Sequence, residues 1–305
     1  MKLAPQRLRL ARRPPLDLGS ARALALSELE TERLKRSDRR HDGSDCACAS
    51  MSRRCLSALL PVQAWALREA RLIGGLVGLI GVGHGKTLMG LLAPLVVPGC
   101  RHAVILVPPG LVGQLVEDYL AAREHLRVPS LIAGDRSWLE PAGAPVLRVV
   151  PYSQLSRPES TRLLDDVEAD LVVADEAHHL RSLQSARTRR FVRMFLKRPE
   201  TRLLAWSGTL TKSSLREFAH VLAVALGEGS PLPLEPSETE RWAAAVDPSE
   251  WPAPPGALRR LAEAVGATLS QGPKAAGAQL HPPGHMELLE RIERMTGVQI
   301  GLQEY

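Results

Sequence analysis

The sequence predicts an α/β fold, a mostly parallel sheet with helices on both faces. Three observations carry this. From residue 57 onward, short runs rich in Val, Ile and Leu recur that are apolar on both alternating faces, as strands sandwiched between helix layers must be. Each run ends in small or turn-forming residues and is followed by a helical pattern, the alternation that builds parallel strands joined by crossovers. One such run, Leu76 to Ile80, passes through Gly81-Val82-Gly83-His84-Gly85-Lys86-Thr87 directly into a helical pattern.

Taken in order, the expected strands are Leu76 to Ile80, Ala103 to Val107, Val146 to Val150, Leu171 to Ala174 and Arg202 to Ala205, with Ser130 to Ile132 a weaker sixth. Helices are expected at Lys86 to Val96, Leu111 to Glu124, Ser160 to Val167 and Leu215 to Leu226, the last with Ser214 and Glu217 at capping-box spacing. Upstream, residues 1–56 read as a basic and mostly disordered segment in which only Ser20 to Lys35 looks helical. Residues 57–230 form the α/β body. Residues 231–305 begin with a stiff connector, marked by Pro231, Pro233, Pro236, Pro248, Pro252, Pro254 and Pro255, and continue as a helical extension with amphipathic patterns at Ala257 to Leu269 and Met286 to Met295.

Composition narrows the function classes. Apolar residues make up 45% of the 305, enough for a buried core, and 4% are aromatic, too few for extensive base-stacking platforms. The net charge is +6, and residues 1–55 hold 13 Lys+Arg against 7 Asp+Glu, so the whole excess lies at the N-terminal end. Nucleic acid, if bound, would be held mainly through its backbone. Cys46, Cys48, Cys55 and Cys100 are too few for a secreted disulfide framework, and a reducing cytoplasm fits better. The first three could supply zinc thiolates, but they lack the usual pair spacing and a fourth ligand, and they read as free thiols. No signal peptide is apparent, and the apolar stretches are broken well short of the roughly 18 residues a membrane span needs.

The glycine-rich stretch carries the first chemistry. A polyphosphate must be gripped by backbone N–H groups at a helix N-terminus, and Gly81, Gly83 and Gly85 let the backbone turn and come close. Lys86 would reach the terminal phosphates and the Thr87 hydroxyl would ligate Mg²⁺. The strict form of this loop has Gly where this chain has Ile80. Asp175, ending the run Leu171 to Ala174, would place a carboxylate for Mg²⁺ at the sheet edge, and Glu176 would polarise an attacking water. Alone, such an acidic pair could be simple helix-capping charge; after an apolar strand and before Ala177-His178 it is more specific.

These motifs resemble those of superfamily 2 helicases and translocases, the group of DEAD/DEAH-box proteins, chromatin-remodelling ATPases and many phage-encoded helicases. Further segments agree in order. Leu60-Pro61-Val62-Gln63 is similar to the segment whose Gln reads adenine. Val107-Pro108-Pro109-Gly110-Leu111 with Gln114 and Glu117, and Pro151-Tyr152-Ser153, resemble segments along the nucleic-acid path. Ser207-Gly208-Thr209 resembles the coupling motif, with hydroxyls from Ser207 and Thr209 directed toward His178. His84 and His179 have no role in the resemblance.

Over residues 57–230 the resemblance implies a RecA-like domain that binds ATP and Mg²⁺, with Lys86, Asp175, Glu176 and His178 catalytic and Gln63, Gly81, Gly83, Gly85, Lys86 and Thr87 holding nucleotide. It also implies a nucleic-acid partner, DNA rather than RNA. In that family a second RecA-like domain supplies arginines, commonly after a Gly-Arg pair, and this sequence contains no Gly-Arg dipeptide. The expectation is therefore the ATP-binding half of a helicase-type ATPase, with weak turnover unless another polypeptide completes it. Two alternatives remain: a nucleic-acid-binding module that no longer turns over ATP, and another P-loop ATPase such as a DNA-packaging motor.

Overall fold

A computed structural model describes residues 19–36, 56–160, 162–208, 215–230 and 232–246, with two short strands at 269–271 and 278–280. Its strands are β1 (Leu76–Leu79), β2 (His102–Val107), β3 (Ser130–Ala133), β4 (Arg136–Trp138), β5 (Val146–Pro151), β6 (Leu171–Asp175) and β7 (Arg202–Ser207), and they form one sheet in the order β1-β7-β6-β2-β5-β3-β4. Every pairing is parallel except β3 with β4. This is the α/β architecture expected from the sequence, a mostly parallel sheet with helices on both faces. A single strand, β7, separates the strand that leads into the glycine-rich loop from the strand that ends at Asp175.

The apolar runs split by parity between two cores. Val104, Leu106, Val172, Ala174, Leu203 and Ala205 face α5 (Tyr152–Ser156), α6 (Leu163–Val167), α7 (Ala186–Lys197) and α8 (Ala219–Leu226). Their neighbours Ala103, Ile105, Val107, Leu171, Val173, Leu204 and Trp206 face α2 (Pro61–Ile73), α3 (Lys86–Val96) and α4 (Val112–Arg123). Fully burying one large apolar side chain contributes about 1.5–3 kcal/mol, so both faces must be covered for the sheet to persist.

The six expected strands are present, with ends shifted by a residue or two. Strand β4 was not expected: three residues carry no readable alternation, and it exists because Gly134, at φ 64°, turns the chain back along β3. Helix α3 has the expected bounds, and α4 follows a 3₁₀ turn at Pro109–Leu111. The expected helix from Leu215 is a 3₁₀ turn, Leu215–Glu217, followed by α8; its proposed cap, Ser214, lies outside the described residues.

Helices α2 and α7 are among those not expected from the sequence. Helix α2 starts with Pro61 at its first position and stops at Gly74, whose φ of 74° is the left-handed conformation favoured beyond a helix end. Helix α7 is capped by the Ser185 side chain and buries Thr188, Phe191, Met194 and Phe195, while Arg189 is exposed and Arg190 donates to the Leu155 and Arg157 carbonyls.

Helix α1 (Ala21–Leu34), within the segment expected to be mostly disordered, is capped by Ser20 and packed against α2; its Leu26 and Leu34 belong to the same core as α3. At the other end, the proline-marked connector contains a helix, α9 (Pro236–Val246), because Pro236 sits where a helix tolerates it, at the first position. Leu232 and Ala243 join the core under α8, and Arg216 bonds Glu240 at 2.7 Å. The extension expected to be helical departs further: Leu269, the end of a proposed helix, lies in β8 (Leu269–Gln271), paired antiparallel with β9 (Ala278–Leu280). Residues 257–268, Met286 to Met295 and Cys46, Cys48 and Cys55 lie outside the described residues. Among the described residues no helix is long and apolar enough to cross a membrane.

Candidate functional site

Parallel strands deliver their carboxyl ends to one edge, where open α/β sheets bind ligands. Here that edge carries residues 80–85 after β1, Pro108 to Leu111 after β2, Tyr152 after β5, Glu176 after β6 and Gly208 after β7. Loop and acidic pair meet there. The Lys86 ammonium lies 3.0 Å from Glu176 Oε1 and donates to the Ile80 carbonyl at 3.0 Å and the Gly81 carbonyl at 3.2 Å. Lys86 is the first residue of α3, behind Gly85 at φ 68°, and Thr87 follows it, half-buried.

The loop is open at its tip and braced at its base. Val82 is 88% exposed, and a Cβ added to Gly83, at φ 86°, would touch nothing within 4 Å. At Gly85 the same atom would lie 2.1 Å from Gln63 Nε2. Gln63 is 3% exposed and has both ends of its amide engaged: Oε1 accepts from the Leu60 N–H at 2.8 Å and Nε2 donates to the His84 carbonyl at 3.0 Å. It touches the loop itself. His84 turns its ring back, Nδ1 lying 3.2 Å from the Val82 carbonyl.

Around the acidic pair the polar groups are tightly cross-bonded. Ser207 donates to Glu176 Oε2 at 2.9 Å, and His178 Nδ1 sits 2.9 Å from Ser207 Oγ and 3.2 Å from Glu176 Oε2, a triangle that closes with the hydrogen on Nδ1. Burial opposes charge on Glu176, but the hydrogen bond and charge of Lys86, with Ser207 and His178, outweigh it and hold the carboxyl below its usual range. Its backbone is left-handed, φ 52°, a conformation a residue with a Cβ adopts at some cost and that often marks functional sites.

Asp175 is treated oppositely. Only 3% exposed, it is pushed up to about 6, by burial first and then by the neighbouring Glu176 charge, against the pull of Lys86. Both hydrogen bonds to its side chain fall on Oδ1, from the Glu176 N–H at 3.0 Å and the Trp206 indole at 3.1 Å. Among the described residues Oδ2 has no hydrogen-bond partner.

Three contributors were not legible from the residue pattern. Trp206 stands opposite Asp175 in the register of β6 and β7, and only that pairing shows that its indole orients the carboxylate. Tyr152 donates from its hydroxyl to the Asp175 carbonyl at 2.8 Å. His179 stacks between Tyr152 and His178, with ring centroids at 4.9 and 4.5 Å; burial, then the charge of His178, lowers its pKa. The Ser207 carbonyl also accepts from the Ile80 N–H at 3.2 Å, joining β7 to the root of the loop. Thr209 lies outside the described residues. Pro109, Gly110 and Leu111 are exposed on this edge, and Gln114 and Glu117 are exposed on α4.

Among solved structures, the chain is similar to the UvsW helicase from bacteriophage T4 in two crystal structures. Each is 14% identical; the TM-scores are 0.38 and 0.39, over 54% and 56% of this chain. The matched parts are 56% of one UvsW chain and 34% of the other, so this chain spans little more than half their length at most. No family model matches the chain, and no curated protein matches it.

The donor set suits a magnesium nucleotide. Among the described residues no cluster of three or more His, Cys, Asp or Glu could hold a metal by itself. Mg²⁺, however, keeps several waters and takes one or two protein oxygens plus phosphate, and Thr87 with the free Asp175 Oδ2 offers hard oxygens of that kind beside an ammonium and an open glycine loop.

Proposed function

We propose that the chain binds MgATP at this edge as the ATP-binding half of a helicase-type ATPase. The observation that carries the proposal is the 3.0 Å ion pair between Lys86 and Glu176, which brings a loop cation and the acidic pair from distant sequence positions to one point. Without nucleotide, Glu176 neutralises Lys86. When a triphosphate enters, Lys86 exchanges that carboxylate for phosphate oxygens, and backbone N–H groups around Gly83 and Gly85 take the remaining charge. Glu176 is thereby released to orient the attacking water, held by Ser207 and His178. Thr87 and Asp175 would hold Mg²⁺, which would supply positive charge against the phosphates.

Turnover in such sites is raised about 10³- to 10⁵-fold by an arginine from a second domain. With no Gly-Arg pair in the sequence, that arginine is proposed to come from another RecA-like unit, on this or another polypeptide. The exposed Pro109-Gly110-Leu111 turn and the Tyr152 segment are proposed to contact nucleic acid, DNA in preference to RNA, with charge from the basic N-terminal region. Equilibrium dialysis tests the core of the proposal: the protein retains ATP in the presence of Mg²⁺ and loses it with EDTA. No retention in either condition overturns it.

A further inference from the structure

We propose that helix α1 is a working part of the nucleotide site: through Thr31, Ser27 and the Leu59 peptide it holds Gln63 against the base of the loop that carries Lys86. This rests on the nucleotide-binding proposal above. The connection is a chain of hydrogen bonds, buried on the α1 side and part-buried where it reaches the loop. Thr31 Oγ1 accepts from the Leu59 N–H at 3.0 Å and donates to the Ser27 carbonyl at 2.6 Å, while the Ser27 hydroxyl donates to the Leu59 carbonyl. Both polar groups of Leu59 are thus taken by one helix, and the next residue, Leu60, donates its N–H to Gln63 Oε1 at 2.8 Å. Gln63 Nε2 reaches the His84 carbonyl at 3.0 Å and fills the space a side chain at Gly85 would need.

Helix α1 cannot drift while this holds. Glu30, its side chain 2% exposed, bonds the Arg71 guanidinium of α2 at 2.8 Å, and removing one partner of a buried ion pair leaves the other uncompensated. The helix is therefore pinned at one point by charge and at another by the Leu59 clamp, which directly precedes the Leu60 N–H that Gln63 Oε1 accepts. An apolar contact at Leu59 would give the same burial but would not fix the height of the Leu60 N–H, on which the Gln63 amide depends.

Thr31→Val removes the hydroxyl at nearly constant volume, and Thr31→Ser keeps it. The experiment compares both with the unaltered chain by amide hydrogen exchange without nucleotide, and by MgATP titration. Loss of roughly one net hydrogen bond corresponds to about three- to tenfold, so Thr31→Val is expected to raise exchange at residues 81–85 by that factor and to weaken MgATP similarly. Thr31→Ser restores both, and the amides of β2 and β5 keep their protection. In the double variant Thr31→Val, Gln63→Leu, the loop effect is expected to be no larger than with Gln63→Leu alone. Additive effects overturn the proposal, as does unchanged loop exchange, and faster exchange throughout the sheet would make α1 a general stabiliser instead. The exchange measurement needs no nucleotide, so a chain that binds no MgATP sinks the proposed function and still reports on the clamp.

Discussion

The two halves of the site are built in opposite ways. The glycine-rich loop has an exposed tip at Val82 and empty space beside Gly83, and at its base it is held by Gln63, by the hold of Lys86 on two carbonyls and by the Ile80–Ser207 backbone bond. The acidic pair has no such slack: Asp175, Glu176, His178, Ser207, Trp206 and Tyr152 share one continuous set of hydrogen bonds. On the proposed function, the difference follows from what each half would do. Backbone that wraps a ligand of several charges has to close around it, whereas groups that aim a water or a cation lose effectiveness with small misplacements. Lys86 belongs to both halves.

Removing Lys86 should therefore break the comparison most severely. Lys86→Ala strips the loop of its principal cation and leaves Glu176 without its counter-charge; MgATP affinity is expected to fall about 100-fold or more, as read by dialysis or calorimetry. Glu176→Gln strikes the other half and frees Lys86 from its ion pair. The amide still accepts from Ser207 but cannot polarise water, so stimulated turnover is expected to drop about 10²- to 10³-fold with nucleotide binding retained, because Lys86 no longer has a carboxylate to leave. Equal loss of binding in both variants would mean that the two halves do not divide the work this way.

The raised pKa of Asp175 sets a third test. A carboxyl that holds its proton more tightly in the folded state favours folding most at low pH, and this contribution is lost as pH rises from 3.8, the ordinary value, through about 6. Above that window the ionised, buried carboxylate costs about 3 kcal/mol, since each pKa unit is about 1.4 kcal/mol. Asp175→Asn keeps an acceptor for Trp206 and removes the charge. Thermal melts are expected to show the variant several degrees more stable at pH 7.5, with the gain shrinking below pH 6, while Mg²⁺ no longer strengthens ATP binding. A variant less stable at every pH would show that the buried carboxylate is better compensated than burial and the Glu176 charge imply.

Which parts of this were legible in the sequence follows from the range of the contacts involved. Strands buried on both faces announce themselves as unbroken apolar runs, so β1, β2, β5, β6 and β7 could be read directly, and the loop and acidic pair stand out because phosphate chemistry restricts residue types at short spacing. Helix α7 was missed because its arginines mask a stripe of four buried positions, and α2 because Leu60 to Gln63 was read as a motif and not as a helix start. The role of Trp206 depends on strand register, which no local pattern contains. Gln63 was singled out for adenine, yet its amide is engaged by Leu60 and His84, partners 3 and 21 residues away that only the folded chain brings together.

The finest test contrasts two glycines of one loop. Gly83 and Gly85 both have positive φ, 86° and 68°, so an alanine at either position carries a left-handed penalty of about 1–2 kcal/mol. At Gly83 that is the whole cost, since the added methyl meets nothing within 4 Å. At Gly85 the methyl would collide with Gln63 Nε2, which must swing away and give up its bond to the His84 carbonyl. Gly85→Ala is thus expected to weaken MgATP about three- to tenfold more than Gly83→Ala, the net worth of roughly one hydrogen bond. Adding Gln63→Ala should erase that excess, because the truncated side chain no longer occupies the space. If the two alanine variants bind equally, Gln63 does not brace the loop, and the division between an open tip and a fixed base fails at its hinge.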